Sequence, residues 1–339
     1  MGSSLFYEAR RIRGTKIFSR SIYTSVGDNC VDALLGHALP LSAILLIDEP
    51  FSRKYATIFL KNFLAEGVYN GHRLLVASSI SEPFEIISNL PRKVENVAEA
   101  MENENSAELA DVDLKIAWRY STLPKKDSVI TNHFDKYFDL SSKIEAERLS
   151  ECDLTIYPSD FSNYKVFSYE KLWRLIKKRL DDISRCSKSS SSDQNLLRIA
   201  IQGFGSGTWD DSKEMMRFLA LLRASLCNSC AVAIITMHSD GLNELIRDRI
   251  YSYSDAALVL ESTEKRRVAA DTFDDRFNGF IRIKKLPAVN SIACSSPIST
   301  DLVYYLYKKY LKIKIYHLPP CFADKTDKNK SIDNVLDEF

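Results

Sequence analysis

No sign of charge prevails in this 339-residue chain: 46 lysines and arginines face 45 aspartates and glutamates, for a net charge of +1. A polyanionic partner must therefore be met by a local patch, which excludes a histone-like binder held by its overall field. Long apolar runs are lacking too. The longest uncharged apolar stretch, Ala38 to Ile47, is about half the ~20 residues that a spanning helix needs, and a soluble protein with no membrane partner is expected. Cysteine is sparse and irregular. Seven residues, an odd number without regular spacing, imply free thiols in a reducing compartment and exclude a disulfide framework. What is abundant is core-forming material: 45% of the residues are apolar and 27% charged, which excludes wholesale disorder and allows a substantial buried interior.

Several catalytic signatures are missing. There is no nucleophile elbow of the G-x-S-x-G kind and no H-E-x-x-H. The five histidines, His37, His72, His133, His238 and His317, do not lie at metal-ligand spacing, and no metal site is expected. Cys227 and Cys230 form a C-x-x-C pair without a second pair to complete a zinc site, and they fall at the junction of an apolar helix and an apolar strand. They read as buried thiols. Residues 1–20 carry Arg10, Arg11, Arg13, Lys16 and Arg20 against Glu8. Gly14 and Thr15 interrupt any amphipathic helix there, so the segment reads as a basic extension and not as a transit peptide. Phe6 stands where a myristoylation start needs Ser or Thr.

Strands alternate with helices along the rest of the chain. Ser42 to Asp48 is a short continuous apolar run, as in a strand buried on both faces. Ile58, Phe59, Phe63 and Leu64 then draw one helical stripe, with Gly67 as the expected stop, and Leu74 to Ala77 reads as the strand closing a βαβ unit. Lys171 to Arg185 is an amphipathic helix with Leu172, Trp173, Ile176, Leu180 and Ile183 on its buried stripe. A second alternation follows: a strand Leu196–Gln202, a glycine-rich turn Gly203–Thr208, a helix Ser212–Leu226 and a buried strand Ala231–Met237. Ala256–Glu261, Phe280–Lys284 and Lys312–His317 complete the strands, and Lys115–Tyr120 has strand character. The pattern predicts an α/β fold, a mostly parallel twisted sheet flanked by helices. Residues 21–320 are expected to form one domain, with insertions near 92–113, 185–194 and 263–278 and a disordered tail over 321–339. The stretch from Glu95 to Asp113 has seven acidic residues and no basic one, and a serine-rich linker runs from Ser187 to Asp193.

A phosphate-binding loop belongs after the first buried strand, where backbone amides and a helix N-terminus can cradle an anion. Set against G-x-x-x-x-G-K-[ST], Asp48 to Tyr55 puts Asp48 and Arg53 at the two glycines, keeps Lys54, and has Tyr55 at the magnesium hydroxyl. Asp48 repels phosphate, and Arg53 cannot take up a glycine-only conformation at low cost. Gln202 ends the strand where a magnesium-binding aspartate is needed, and Ser78, Ser79 and Ile80 follow the strand where a water-activating carboxylate is needed. The loop is degenerate. Autonomous ATP hydrolysis is not expected, nor is a cofactor, and Arg53 and Lys54 are what remains of a nucleotide site.

Basic groups at strand ends and in loops are the better candidates for contact with a phosphate backbone: Arg119, Lys125 and Lys126, then Arg247 and Arg249, then Lys265, Arg266 and Arg267. A solvated face is the competing reading of each cluster.

The order of motifs carries a resemblance. Arg13-Gly14-Thr15-Lys16, Thr24 to Pro40, Ile44 to Pro50, Phe59 to Ser78, Lys115 to Tyr120, His133 to Ser142, Arg198 to Trp209, Ala233 to His238 and Ile315 to Pro320 follow one another over about 300 of the 339 residues. The set resembles the family of fourth subunits of the Elongator complex, RecA-like paralogues without a working phosphate loop. In the wider RecA-like ring family, a glycine-rich stretch matches Ser25 to Ser42, and three of its glycines are here His37, Ala38 and Ser42. The resemblance implies a RecA-like domain in a heterohexameric ring, two copies each of subunits four, five and six. That ring binds tRNA and attaches to the catalytic subcomplex that modifies the wobble uridine. The subunit has no enzymatic activity of its own and works in the cytoplasm, with the nucleus as a second compartment. In RecA-like rings the loop after the strand Ala231–Met237 lies near the central hole, so Arg247 and Arg249 lead the tRNA candidates, with Arg266 and Arg267 peripheral. Two other readings stand beside this one: a RecA- or KaiC-type ATPase with a composite site at subunit interfaces, and a redox or metal enzyme using Cys227 and Cys230.

Overall fold

The computed structural model describes residues 12–18, 20–36, 38–94, 137–158, 167–186, 195–207, 209, 212–227, 229–263, 277–289 and 299–316. Strands β1 (Thr15–Phe18), β2 (Ser21–Thr24) and β3 (Leu39–Pro40) form a small antiparallel sheet that brackets helix α1 (Asn29–Leu34). Then come β4 (Ile44–Asp48), α2 (Tyr55–Tyr69), β5 (Arg73–Ser78), α3 (Pro83–Ser88), β6 (Pro91–Lys93), β7 (Phe138–Lys143), α4 (Ala146–Ser150) and β8 (Leu154–Tyr157). The second half contributes α5 (Tyr169–Cys186), β9 (Leu197–Phe204), α6 (Ser212–Leu226), β10 (Ala231–Met237), α7 (Glu244–Tyr253), β11 (Ala256–Ser262), β12 (Gly279–Lys285), β13 (Leu302–Leu306) and β14 (Leu311–Ile315).

Nine of these strands make one sheet in the order β14-β13-β12-β11-β4-β10-β9-β5-β8. From β11 to β8 every neighbour is parallel, and β12, β13 and β14 extend the sheet antiparallel. The expected mostly parallel α/β architecture is therefore present. Strand alternation divides the core in two. Leu45, Ile47, Val76, Ala200 and Ile234 meet Phe59, Leu60 and Phe63 of α2, whereas Ile44, Leu46, Leu75, Ile199 and Ile235 meet Leu172 and Ile176 of α5 and Phe218 and Leu222 of α6. Burial on both faces is the reason these strands read as uninterrupted apolar runs.

Helix α2 departs from its expected form. It does not stop at Gly67 but continues to Tyr69, and the chain turns at Gly71, whose φ is +68°. Gly67 is needed for close approach instead: a Cβ there would lie 2.6 Å from Leu74 Cδ2 and 2.8 Å from Arg198 Cδ. Nor does the helix bury one stripe. Leu60 is fully buried and Ile58 only partly, because the N-terminal segment with Val26, Val31 and Leu34 covers the side turned away from the large sheet. Further on, β9 runs through Gly203 and Phe204 before turning, and the segment after β10 that carries Arg247 and Arg249, expected as a loop, is a 3₁₀ turn (Ser239–Gly241) followed by α7. The acidic segment 95–113, Lys115–Tyr120, the serine linker 187–193, most of the insertion 263–278 and the tail 321–339 lie outside the described residues.

Candidate functional site

Parallel strands deliver their following loops to one edge of the sheet, where open α/β folds bind ligands. Here that edge brings together the residues after β4, β5, β9 and β10. Asp48 and Glu49 leave β4, and both side chains are fully buried. Glu49 is held through its main chain, its N–H donating to Met237 O at 3.0 Å and its carbonyl accepting from His238 Nδ1 at 3.0 Å. Its carboxylate turns back onto the first turn of α2. Oε1 accepts from the amides of Lys54 (3.3 Å) and Tyr55 (3.2 Å), and Oε2 from the amide of Ala56 (2.8 Å). Lys54, the N-cap residue, makes no side-chain capping bond. The amides that a phosphate would use in a working loop are thus satisfied by the chain's own acid.

Asp48 faces the other way. Oδ1 accepts from the Ser239 amide at 3.1 Å and Oδ2 from the Tyr251 hydroxyl at 2.5 Å, joining β4 to α7. Burial raises the Asp48 carboxyl above its ordinary value, and burial together with the Asp48 acceptor raises the Tyr251 phenol. At the end of β9, Gln202 Oε1 accepts from the hydroxyls of Ser78 (2.7 Å) and Ser81 (2.8 Å), and Nε2 donates to Thr57 Oγ1 at 3.1 Å. A neutral side chain stitches three elements at the position where the sequence reading looked for a metal-binding aspartate. Tyr55, aligned with a magnesium hydroxyl, is buried edge-on against Tyr304 with ring centroids 4.8 Å apart. Arg53 and Lys54 are exposed on the same loop.

The candidate basic residues separate. Arg247 and Arg249 lie on α7, not in a loop, and alternate with Glu244 and Asp248; Arg247 Nη2 is 3.5 Å from Glu244 Oε1. Arg119, Lys125 and Lys126 lie outside the described residues, as do Lys265, Arg266 and Arg267. Cys227 is exposed and Cys230 half-buried, neither in a disulfide, so the expectation that both are buried is corrected: Cys227 follows the last turn of α6, beyond the contact of that helix with the sheet. Among the described residues no group of three His, Cys, Asp or Glu side chains could hold a metal ion, and no described helix is long and apolar enough to cross a membrane. The residue that the sequence reading missed is Glu49. Its one signal is a helix start without a capping side chain at Lys54, six residues after a strand that ends on two acids.

The model of the PAXNEB protein family matches residues 8–337. The chain is 31% identical over 351 residues to Elongator complex protein 4 of Mus musculus, covering 95% of this chain and 83% of that protein. It belongs to the PAXNEB family, that of Elongator complex protein 4. The human protein of that name is 30% identical over 356 residues, with 95% and 83% covered. The fission yeast one is 26% identical over 331 residues, with 92% and 88% covered. The family expected from the motif order is therefore the family found, and the self-filled edge belongs to a chain that matches it from end to end of the described fold.

Proposed function

We propose that this chain is a non-catalytic subunit of the Elongator complex, a RecA-like wedge that forms a heterohexameric ring with subunits five and six. The ring binds tRNA, attaches to the catalytic subcomplex and supports modification of the wobble uridine in the cytoplasm and nucleus. Membership is supported by relatives named Elongator complex protein 4 that align with 92–95% of the chain. The observation that carries the non-catalytic part is Glu49, whose buried carboxylate takes the three amides open to a phosphate, together with neutral Gln202 in place of a metal-binding acid. The RecA-like reading is supported by the crossover of the sheet: β4 and β5, joined through α2, are separated by β10 and β9, all parallel. A chain without chemistry of its own is most useful as part of a closed assembly. Native mass spectrometry of this chain co-expressed with subunits five and six is expected to show six chains, two of each. A monomer in their presence at micromolar concentration overturns the reading.

For tRNA, α7 supplies Arg247 and Arg249 at near-neutral local charge. The antiparallel extension is a second basic surface. Register and alternation put Phe280, Tyr305, Lys312 and Lys314 on one face with Lys284 and with Arg282, whose Nε is 2.9 Å from Glu261 Oε1, and Lys314 Nζ lies over the Tyr305 ring at 5.4 Å. Cations interleaved with aromatic rings on a sheet suit unpaired RNA, which offers phosphates and stackable bases.

A further inference from the structure

We propose that the Glu49 carboxylate is a built-in phosphate surrogate, which fixes the β4–α2 loop in its closed form and makes this chain's own cradle indifferent to nucleotide. The inference rests on the RecA-like reading above and deepens it. An ordinary N-cap reaches the amides two or three residues ahead from the cap position itself. Here the acceptor comes from before the loop and engages three consecutive amides with both oxygens, at 3.3, 3.2 and 2.8 Å. A carboxylate and a phosphoryl group offer the same chemistry to such amides, anionic oxygens that accept charge-assisted hydrogen bonds next to the positive end of a helix. Glu49 has no exposed surface, and its backbone is tied to Met237 at the end of the neighbouring strand β10 and to the His238 side chain just beyond it. The root of its side chain is therefore fixed where two strand ends meet, and the enclosed carboxylate can leave the cradle only by giving up all three amides. A phosphate entering the cradle would have to displace an anion that is already paired and would meet its charge.

Two consequences follow for the ring. Any response of the assembly to ATP originates in the other subunits or in groups that they present, because this cradle is always full. The α2 start, bonded at its upstream side to Glu49 and through Thr57 to Gln202, stays in one position through any such response.

The surrogate is testable on the isolated full-length chain by thermal unfolding in potassium phosphate and in potassium chloride at matched ionic strength, and with added ATP. The wild-type midpoint is expected not to move with ATP and to rise in phosphate only by the non-saturating, non-specific increment of a kosmotropic salt. Glu49→Ala leaves three amides without an acceptor; its midpoint is expected to fall in chloride and to recover by about 2–4 °C in phosphate, saturably, as an anion takes the place of the side chain. Glu49→Asp keeps the charge but is one methylene short, so it is expected to lose stability in chloride and gain little from phosphate. Glu49→Gln keeps an acceptor oxygen without the charge and provides the same comparison in a milder variant if Glu49→Ala does not fold. Wild-type stabilisation by phosphate or ATP equal to that of the variant overturns the proposal, as does a folded Ala or Gln variant that ignores phosphate. Because no partner subunit is present, this outcome is independent of ring formation: failure of the ring with phosphate rescue intact would remove the assembly reading and leave the surrogate standing.

Discussion

Arg198 Nε donates to His72 Nδ1 at 2.9 Å inside the core, and this one bond sets the protonation of the imidazole. With Nδ1 accepting, the ring proton is on Nε2, which donates to Arg13 O at 2.8 Å and pins the N-terminal segment to the turn after α2. The rest of the guanidinium reaches Thr24 Oγ1 (2.7 Å) and Phe63 O (3.1 Å) and stacks over the Phe63 ring at 4.6 Å. A single fully buried cation thus joins β9, α2 and β2.

Removing it is expected to be costly. Arg198→Ala leaves buried Asp32 and Glu66 without their nearby cation, and a loss of about 3–5 kcal/mol is expected in urea unfolding. Gly67→Ala alone destabilises as well, because its Cβ meets Arg198 Cδ and Leu74 Cδ2. In the double variant the cost of the added methyl falls, giving a coupling of about 1 kcal/mol or more. Strict additivity would show that the two sites do not share space.

Burial raises Asp28 to about 6 and Asp32 to about 7. In the unfolded chain both titrate near ~3.9, so the folded state holds extra protons between those values. Their contribution is complete below the unfolded value and is lost as pH rises through 6 to 7, at up to about 1.4 kcal/mol per pH unit for each group. Asp32→Asn is expected to lose less stability than wild type between pH 5 and pH 8. Equal slopes in urea midpoints would contradict this.

Tyr251→Phe takes a donor from buried Asp48. A destabilisation of about 1–3 kcal/mol is expected, larger at pH 8 than at pH 5 because the ionised carboxylate depends most on the lost hydroxyl. Denaturant melts at the two pH values check the sign.

The isolated chain is expected to turn over ATP at less than ~1 per minute, against ~10 per second for a typical enzyme, and Lys54→Ala is expected to leave that background unchanged. A malachite-green signal that vanishes in Lys54→Ala would restore a catalytic role to the loop.

Filter binding of tRNA to assembled rings across a salt series distinguishes the two basic surfaces. Each phosphate contact removed is expected to lower the log-log slope by about 0.9 unit with little change in preference among tRNAs. Arg247→Ala with Arg249→Ala tests α7, and Lys312→Ala with Lys314→Ala tests the sheet extension. Arg266→Ala with Arg267→Ala is the peripheral control, and a loss confined to it would reverse the assignment.

The strands were legible because they are buried on both sides: Ile44–Asp48 and Ala231–Met237 contain nothing but a core pattern until their last residues. The helices α5 and α6 were legible from their stripes. Strand β14 was read, as Lys312–His317, but its partner β13 and the hairpin that joins them were not. The hairpin tip closes with Tyr307 N–H to Tyr310 O at 2.9 Å around two lysines, without glycine, asparagine or aspartate to mark a turn. Helix α7 was hidden because its apolar positions, Ile246 and Ile250, are separated by Arg247, Asp248 and Arg249, of which the last two are exposed. At the site, departures from the phosphate-loop motif could be read by position, since the motif fixes each place. What fills the cradle could not, because Glu49 acts through backbone amides across a loop and no side-chain pattern records where an amide points.

Strand β14 ends the nine-stranded sheet among the described residues, and Lys312 and Lys314 alternate along it with Leu311, Ile313 and Ile315. Lysines on a terminal strand oppose continuation of the sheet by a strand from another molecule, since two such borders would bring like charges together. Two copies of this chain are thus discouraged from joining border to border through β14, which leaves β8 as the terminal strand without lysines.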